Sequence, residues 1–584
     1  MSDERLRVGR LRQDLSRVDL QHRWIVALTA AALVIRVTAL GGEAIRPDEA
    51  ITMQLLELYS PFELIYEIPG RQPHPPLYYV LLDLWTAVFG TGVVAIRIPS
   101  VIFGVATIPV VYTLVDHLSD ERAAVLATAL VVVSPYFVAI SQLARMYALF
   151  VFLISLSYLL LLWLTESVTR RRVTAYAGVV TLLALTHFYA LFVVFGHMIV
   201  IAIHGDLRFR DLLSTRLVRV PVAALLTVMS TLVVVKFLGT TGMIAERQPF
   251  GLSTARQALP PHGISPMRVF LQTFDGSGWN PSWLVYNDGA REFLTDPIGP
   301  RPISDAIVRV ANVGSPALLY LVAAILGGWI LYVRRGFEST GAYYAVVVWF
   351  LVPFVGIIDL GLLGIQFNPR YSAVAVIPFF ALVGVALAQI RNRSVRVVTV
   401  AVVVTLLLAQ TAVYAGDTYR RDHGDVRRYL DDRVAPDDDV LVAYHTFDSH
   451  FSFQPEGYYY DPAPFDVTPF ELRNHPEDSL RNATAGDDRV WFVSPLRWQG
   501  FTDDVNRSMR NISYHQSDVV AFDTVLVVQF TANESATGSL QSRRPRPDRA
   551  RDRRPDVLDQ RRYTAEAVRV DATETAGPLA RLLD

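Results

Sequence analysis

The chain contains no cysteine, which excludes disulfides and thiolate metal sites. Lysine is almost missing too: Lys236 stands alone, and the other basic side chains are arginines. Charge of either sign is scarce. Charged residues make up 19% of the 584, whereas a soluble chain of ordinary composition carries about a quarter. The formal net charge of −1 gives no electrostatic case for nucleic acid. A cleavable leader is not expected either. Residues 1–23 are polar and show neither the apolar stretch nor the small-residue cleavage site of a signal peptide. Trp24–Leu40 is therefore expected to be a retained span, with 1–23 a cytoplasmic segment.

What is abundant is apolar sequence in long runs: Val101–Val115, Ala123–Ile140, Leu149–Leu164 and Val397–Leu408. With their flanks they match a helix crossing a hydrocarbon core roughly 30 Å thick. One such run fits a buried core helix of a soluble protein; a long series of them does not. The fold class expected is a polytopic α-helical membrane protein.

Orientation follows from arginine in short loops. Arg5, Arg7, Arg10, Arg12, Arg17 and Arg23 precede the first span, and Arg170–Arg172 form a triplet. Further clusters lie at 208–219, at Arg334 and Arg335, and at 391–396. With all of these inside, spans are expected at 24–40, 97–116, 122–140, 147–165, 173–187, 189–204, 217–238, 306–333, 342–363, 371–390 and 396–415. That is about eleven crossings, with the N-terminus cytoplasmic and the C-terminus outside. Pro75–Gly90 is short, aromatic and interrupted by Asp83. Counting it as a crossing would put the arginine triplet outside, so it is expected to lie along the outer interface. Glu49–Tyr59 reads as a second helix of that kind. The transmembrane domain thus covers 24–415, with a first external loop at 41–96 and another at 239–305.

Residues 417–540 turn charged, with short strand-like runs at Val440–Tyr444, Val490–Val493 and Val525–Phe530. They are expected to form a small extracytoplasmic α/β domain. Four Asn-x-Ser/Thr tripeptides, at Asn482, Asn506, Asn511 and Asn533, agree with an outside position. Residues 541–584, rich in Arg, Asp and Pro, read as a disordered tail.

Ionisable side chains at membrane depth cost roughly 2.5–3.5 kcal/mol on insertion scales and so mark sites. Threaded as above, the notable ones gather at the outer interface. Asp48 and Glu49 (RPDEA) follow the first span, and His74 (HPPLYY) opens the interfacial helix. Arg97 (RIPS) opens the second span, while Arg145 and Tyr147 (SQLARMYAL) occupy a tight turn. His187 and Tyr189 (THFYA) lie between the fifth and sixth spans, and Arg370 with Tyr371 (NPRYS) precedes the tenth. A single arginine at a helix end commonly snorkels to lipid phosphate. Three arginines and an acidic pair on one face instead point to an anion bound beside a carboxylate base. Such a set suits sugar transfer from a polyprenyl phosphate. The acceptor hydroxyl loses its proton to the carboxylate, and the departing phosphate meets arginine's planar fork of donors.

These segments, in order and spacing, resemble the GT-C membrane glycosyltransferases, in particular the protein O-mannosyltransferase and aminoarabinose-transferase branch. The resemblance covers about residues 20–200 well and the later spans loosely. It implies a polyprenyl-phosphate-linked sugar as donor, a glycan, lipid or protein hydroxyl as acceptor, and inversion at the anomeric carbon. It implies Asp48 as base and Glu49 as its neighbour, orienting the acceptor or tuning proton affinity. Arg97, Arg145 and Arg370 would face the lipid phosphate, and His74 would line the donor or acceptor pocket. No cofactor is certain; some members bind a divalent cation, and the metal question stays open here. Residues 239–305 are too few for the β-trefoil domain that protein O-mannosyltransferases carry, which puts a protein acceptor in doubt. Two other readings stand beside this one: a transporter or flippase of lipid-linked sugars, and a non-catalytic glycan-binding scaffold.

Overall fold

The structure, a computed structural model, describes residues 23–38, 47–71, 74–204, 316–335, 373–416, 422–435, 438–444, 466–471, 488–495, 499–522 and 525–533, with residues 40, 41, 349, 480 and 484. The spans expected at 217–238 and 342–363 (apart from Trp349), the loop 239–305, Arg370, Tyr371 and the tail 541–584 lie outside these residues. The chain forms two compact units, residues 1–40 with 61–416, and residues 41–60 with 417–584.

The first unit is helical. Helix α1 covers residues 23–37; α3 (Pro61–Arg71) and α4 (Leu77–Phe89) are short. Then follow α5 (Val93–Leu118), α6 (Glu121–Val133), α7 (Pro135–Ser141), α8 (Tyr147–Glu166), α9 (Arg170–Ala184) and α10 (Ala190–His204). The later helices are α11 (Pro316–Arg335), α12 (Val376–Ala388) and α13 (Arg393–Gly416). Among the described residues, α5 and α8 are long and apolar enough to cross a membrane, and α6 with α7 qualifies as one bent span. The short α4 carries Leu81, Leu84 and Val88 exposed along one side, an apolar face turned outward as an interfacial helix requires.

The run expected as one span at 122–140 is in fact two helices bent by 61°. The cause is Ser134–Pro135. Ser134 caps α7 by accepting from the Phe137 N–H at 3.3 Å, and Pro135 takes the first helical position, where its missing N–H is harmless. A break inside a membrane leaves carbonyls that water cannot reach, so side chains must meet them. Arg36, buried on α1, donates to the Val132 carbonyl at 3.3 Å and to Ser141 Oγ at 3.2 Å. Thr411 on α13 donates to the Val133 carbonyl at 2.8 Å. The guanidinium of Arg36 also lies 4.9 Å from the centre of the Phe137 ring. Proline is handled similarly in α5: Pro99 cannot bond back to Ala95, and the Trp85 indole N–H fills that carbonyl at 2.9 Å.

Between helices the contacts rest on small residues, as expected where lipid gives no hydrophobic drive. Helix α12 packs on α6 and α11, and α5 on α6 and α8. A Cβ at Gly384 would sit 2.6 Å from both the Cβ and the backbone nitrogen of Ala127, so only glycine fits that crossing.

The second unit holds α2 (Pro47–Leu58), α14 (Asp422–Asp431), α15 (Gln499–Asn511) and a five-stranded sheet. Its strands are β1 (Asp439–Tyr444), β2 (Asp466–Glu471), β3 (Arg489–Pro495), β4 (Tyr514–Ala521) and β5 (Val525–Ala532). Their order is β2-β1-β3-β5-β4, with the first three parallel and the β3–β5 and β5–β4 pairs antiparallel. Leu441, Val490 and Phe492 pack with Val505 and Met509 of α15, and Val440, Val442 and Trp491 with Val426 and Leu430 of α14. With helices on both faces, β1 and β3 are buried on both sides, which is why they read as unbroken apolar runs. The buried Asp438 accepts from the Trp491 indole at 3.1 Å and pairs with Arg489 at 2.9 Å. Asn506 and Asn511 fall within α15. Among the described residues, the buried Asn506 Oδ1 has no hydrogen-bond partner.

Candidate active site

Of the ten residues singled out in the sequence, six are described residues of the first unit, and the fold brings five of them together. The organising feature is the turn 142–146 between α7 and α8, which carries Arg145. Its peptide is held on two sides: the Arg145 N–H donates to the Leu143 carbonyl at 2.7 Å, and its carbonyl accepts from Ser100 Oγ at 3.2 Å. Since Ser100 spends its proton on that carbonyl, its Oγ accepts a hydrogen bond from the Tyr78 hydroxyl at 2.9 Å. Gln142 donates to the Arg36 and Thr38 carbonyls at 2.9 and 3.0 Å, tying the same turn to the end of α1.

Around Arg145 is an aromatic and imidazole wall. Its guanidinium donates to the Tyr147 hydroxyl and lies 5.8 Å from the centre of the Tyr79 ring. His74 and His187 face each other with ring centres 4.9 Å apart. Tyr147 is 6.2 Å from His74 and 6.1 Å from His187. Phe150 stacks on His187 at 4.7 Å, and Tyr189 meets it edge-on at 5.2 Å. The backbone joins these pieces, because the Leu77 N–H at the start of α4 donates to the Leu185 carbonyl at the end of α9 at 3.0 Å.

His187 has a defined protonation. Its Nδ1 accepts the Tyr189 N–H at 3.1 Å, so in the neutral ring the proton sits on Nε2. Burial, with the Arg145 charge adding to it, lowers its pKa from 6.5 to about 3. At neutral pH it is an uncharged hydrogen-bond donor rather than a proton carrier.

Arg97 is buried and donates through Nη1 to the Leu40 carbonyl at 2.9 Å, closing the end of α1. Asp48 and Glu49 occupy the first turn of α2 in the second unit, with Glu49 buried. Asp48 is inside the helix rather than at its cap. Arg370 and Tyr371 lie outside the described residues, although Ala373, shortly after them, has its backbone hydrogen-bonded to the buried Tyr136. Sequence reasoning missed Tyr79, Ser100 and Arg36. Tyr79 and Ser100 stand inside quoted segments (HPPLYY, RIPS), but nothing in a string shows which of two adjacent tyrosines turns toward an arginine.

Among the described residues no three His, Asp or Glu side chains come together, and an arginine with phenolic and imidazole N–H or O–H groups is an anion's environment.

The family described as dolichyl-phosphate-mannose-protein mannosyltransferase matches residues 73–235. No curated protein matches the chain. Among solved structures, ArnT from Cupriavidus metallidurans bound to undecaprenyl phosphate is similar at TM-score 0.51 and 13% identity, covering 87% of this chain and 98% of that one. The Archaeoglobus fulgidus oligosaccharyltransferase tethered with an acceptor peptide gives 0.45 and 12%, over 81% and 69%. The mycobacterial arabinofuranosyltransferase AftD gives 0.42 and 13%, over 88% and 40%. The family match takes in HPPLYY, RIPS and SQLARMYAL, and leaves the Asp48-Glu49 pair outside it. In sequence over residues 73–235, and in fold over most of its length, the chain resembles the GT-C membrane glycosyltransferases.

Proposed function

We propose that this protein is a membrane glycosyltransferase that moves one monosaccharide from a polyprenyl phosphate to a hydroxyl of a glycan, lipid or protein on the extracytoplasmic face, with inversion. One observation supports this above the rest. Three separate segments, all within the residues 73–235 that match the family, converge on Arg145 and surround it with His74, Tyr147, His187 and Tyr79. A buried, permanently charged guanidinium is a seat for a phosphate whose negative charge grows as the sugar leaves.

The reaction balances as follows. The acceptor oxygen forms a bond to the anomeric carbon from the face opposite the phosphate. The bond from that carbon to the phosphate oxygen breaks, and its electron pair leaves with the polyprenyl phosphate. The acceptor proton passes to the Asp48 carboxylate. Glu49 orients the acceptor or tunes Asp48. Arg145 takes the leaving phosphate, with Arg370 and Arg97 as further contacts, and His187 contributes a neutral imidazole. His74 and Tyr189 line the pocket, and Tyr371 belongs with Arg370. With about eleven spans and the sheet-containing unit outside, as the arginine clusters predict, these groups would lie where a lipid-borne headgroup can reach them.

The test is a mass profile of surface glycans and lipid-linked sugars from cells carrying wild type or Asp48→Asn. Loss of one sugar from a glycan, with build-up of the charged lipid donor, is expected from a variant that inserts normally. A profile unchanged in the variant but altered in a full deletion would move the transporter or scaffold reading ahead.

A further inference from the structure

The Tyr79 hydroxyl is fully buried and, among the described residues, has no hydrogen-bond partner. Its neighbour in sequence, Tyr78, is equally buried but is used, since its hydroxyl is bonded to Ser100. The two therefore differ in role although they sit side by side on α4. A phenol left unpaired in the interior costs the protein free energy. It is costly to keep unless something absent from the free protein completes it. The Arg145 guanidinium lies over the Tyr79 ring, so an anion drawn to that cation comes within reach of this wall. Burial holds the phenol above its ordinary pKa, with Arg145 pulling the other way, so the group is a protonated donor.

We infer that Tyr79 is a binding residue for the same anion as Arg145, its hydroxyl donating to a phosphoryl oxygen of the polyprenyl phosphate. The inference rests on the function proposed above and extends it by one contact. It carries a signature that a packing role lacks. Phenylalanine keeps the ring and its place over the guanidinium while removing an unsatisfied polar atom. Tyr79→Phe should thus leave the free protein as stable as wild type or more so, while weakening the ligand.

The experiment measures binding of a polyprenyl monophosphate to the purified full chain, with the matching polyprenol and inorganic phosphate as controls. Wild type, Tyr79→Phe and Arg145→Gln are compared, each with its thermal midpoint. The expected result is about tenfold weaker binding of the lipid phosphate by Tyr79→Phe, the loss typical of a hydrogen bond to a charged group, with a midpoint no lower than wild type. Weaker binding together with a lower midpoint would mean that the hydroxyl serves packing and would overturn the assignment. If Tyr79→Phe binds like wild type while Arg145→Gln does not, Tyr79 is dismissed and the glycosyltransferase reading stands. If the lipid phosphate binds no better than the polyprenol, even to wild type, that reading falls and takes this inference with it.

Discussion

At the scale of single residues, the site is built from groups whose charge is fixed rather than switched. Arg145 is a permanent cation, and His187 is held neutral by burial and by that cation. The linkage has a definite sign. His187 takes up its proton near 6.5 when unfolded and only near 3 when folded, so the unfolded chain binds an extra proton between those values. The stability it contributes is complete above 6.5 and is lost as pH falls toward 3. His187→Asn, which keeps an acceptor for the Tyr189 N–H, should flatten the fall in thermal midpoint between pH 6.5 and 4.5; equal slopes would show that the imidazole already titrates in place. For turnover, Arg145→Gln should lower kcat by about 10²–10³, the loss seen when one preorganised donor to developing charge is removed. Arg145→Lys should recover part of it, because the charge stays and the planar fork goes. Wild-type turnover by Arg145→Gln would move the phosphate to Arg97 or Arg370.

At the scale of elements, hydropathy located most of the described helices to within a few residues, because a 20-residue apolar run has few alternatives in lipid. It missed the break at Ser134–Pro135, although the signal was present as a capping residue followed by proline. A window averaged over a span is blind to such punctuation. It also missed what the break demands. Arg36 sits in VIRVTAL, where a string gives it no partner; only the fold shows it closing the carbonyl ends of α6. Trp85 and Pro99 pose the same problem and allow a clean test. Trp85→Phe leaves the Ala95 carbonyl unpaired and should cost about 1–3 kcal/mol. Pro99→Ala supplies the missing backbone N–H to that carbonyl, so the double variant should be less destabilised than the sum of its parts. Chemical denaturation in detergent measures this coupling, and strict additivity would refute the compensation.

At the scale of the whole molecule, the long apolar runs carried the class, and the C-terminal strands β1, β3 and β5 were legible from their shorter ones. Strands β2 and β4 were not, since DVTPFE and YHQSDVVA mix polar residues that sit at sheet edges. The grouping of residues 41–60 with 417–584 was illegible for a different reason. The 356 residues 61–416 separate the two stretches in the chain, and no local pattern records a contact of that range. Arginine counts predict the orientation, and the cysteine-free sequence makes that prediction directly testable. Ser517→Cys places one thiol on an exposed stretch of β4, and Arg171→Cys places one in the arginine triplet, also exposed. A membrane-impermeant maleimide applied to intact cells should label the first, and the second only after permeabilisation. The reverse pattern would invert the topology, turn Pro75–Gly90 into a crossing, and remove the outer-face site with it. Labelling of both in intact cells would place the triplet outside and require one fewer or one more crossing between α9 and β4.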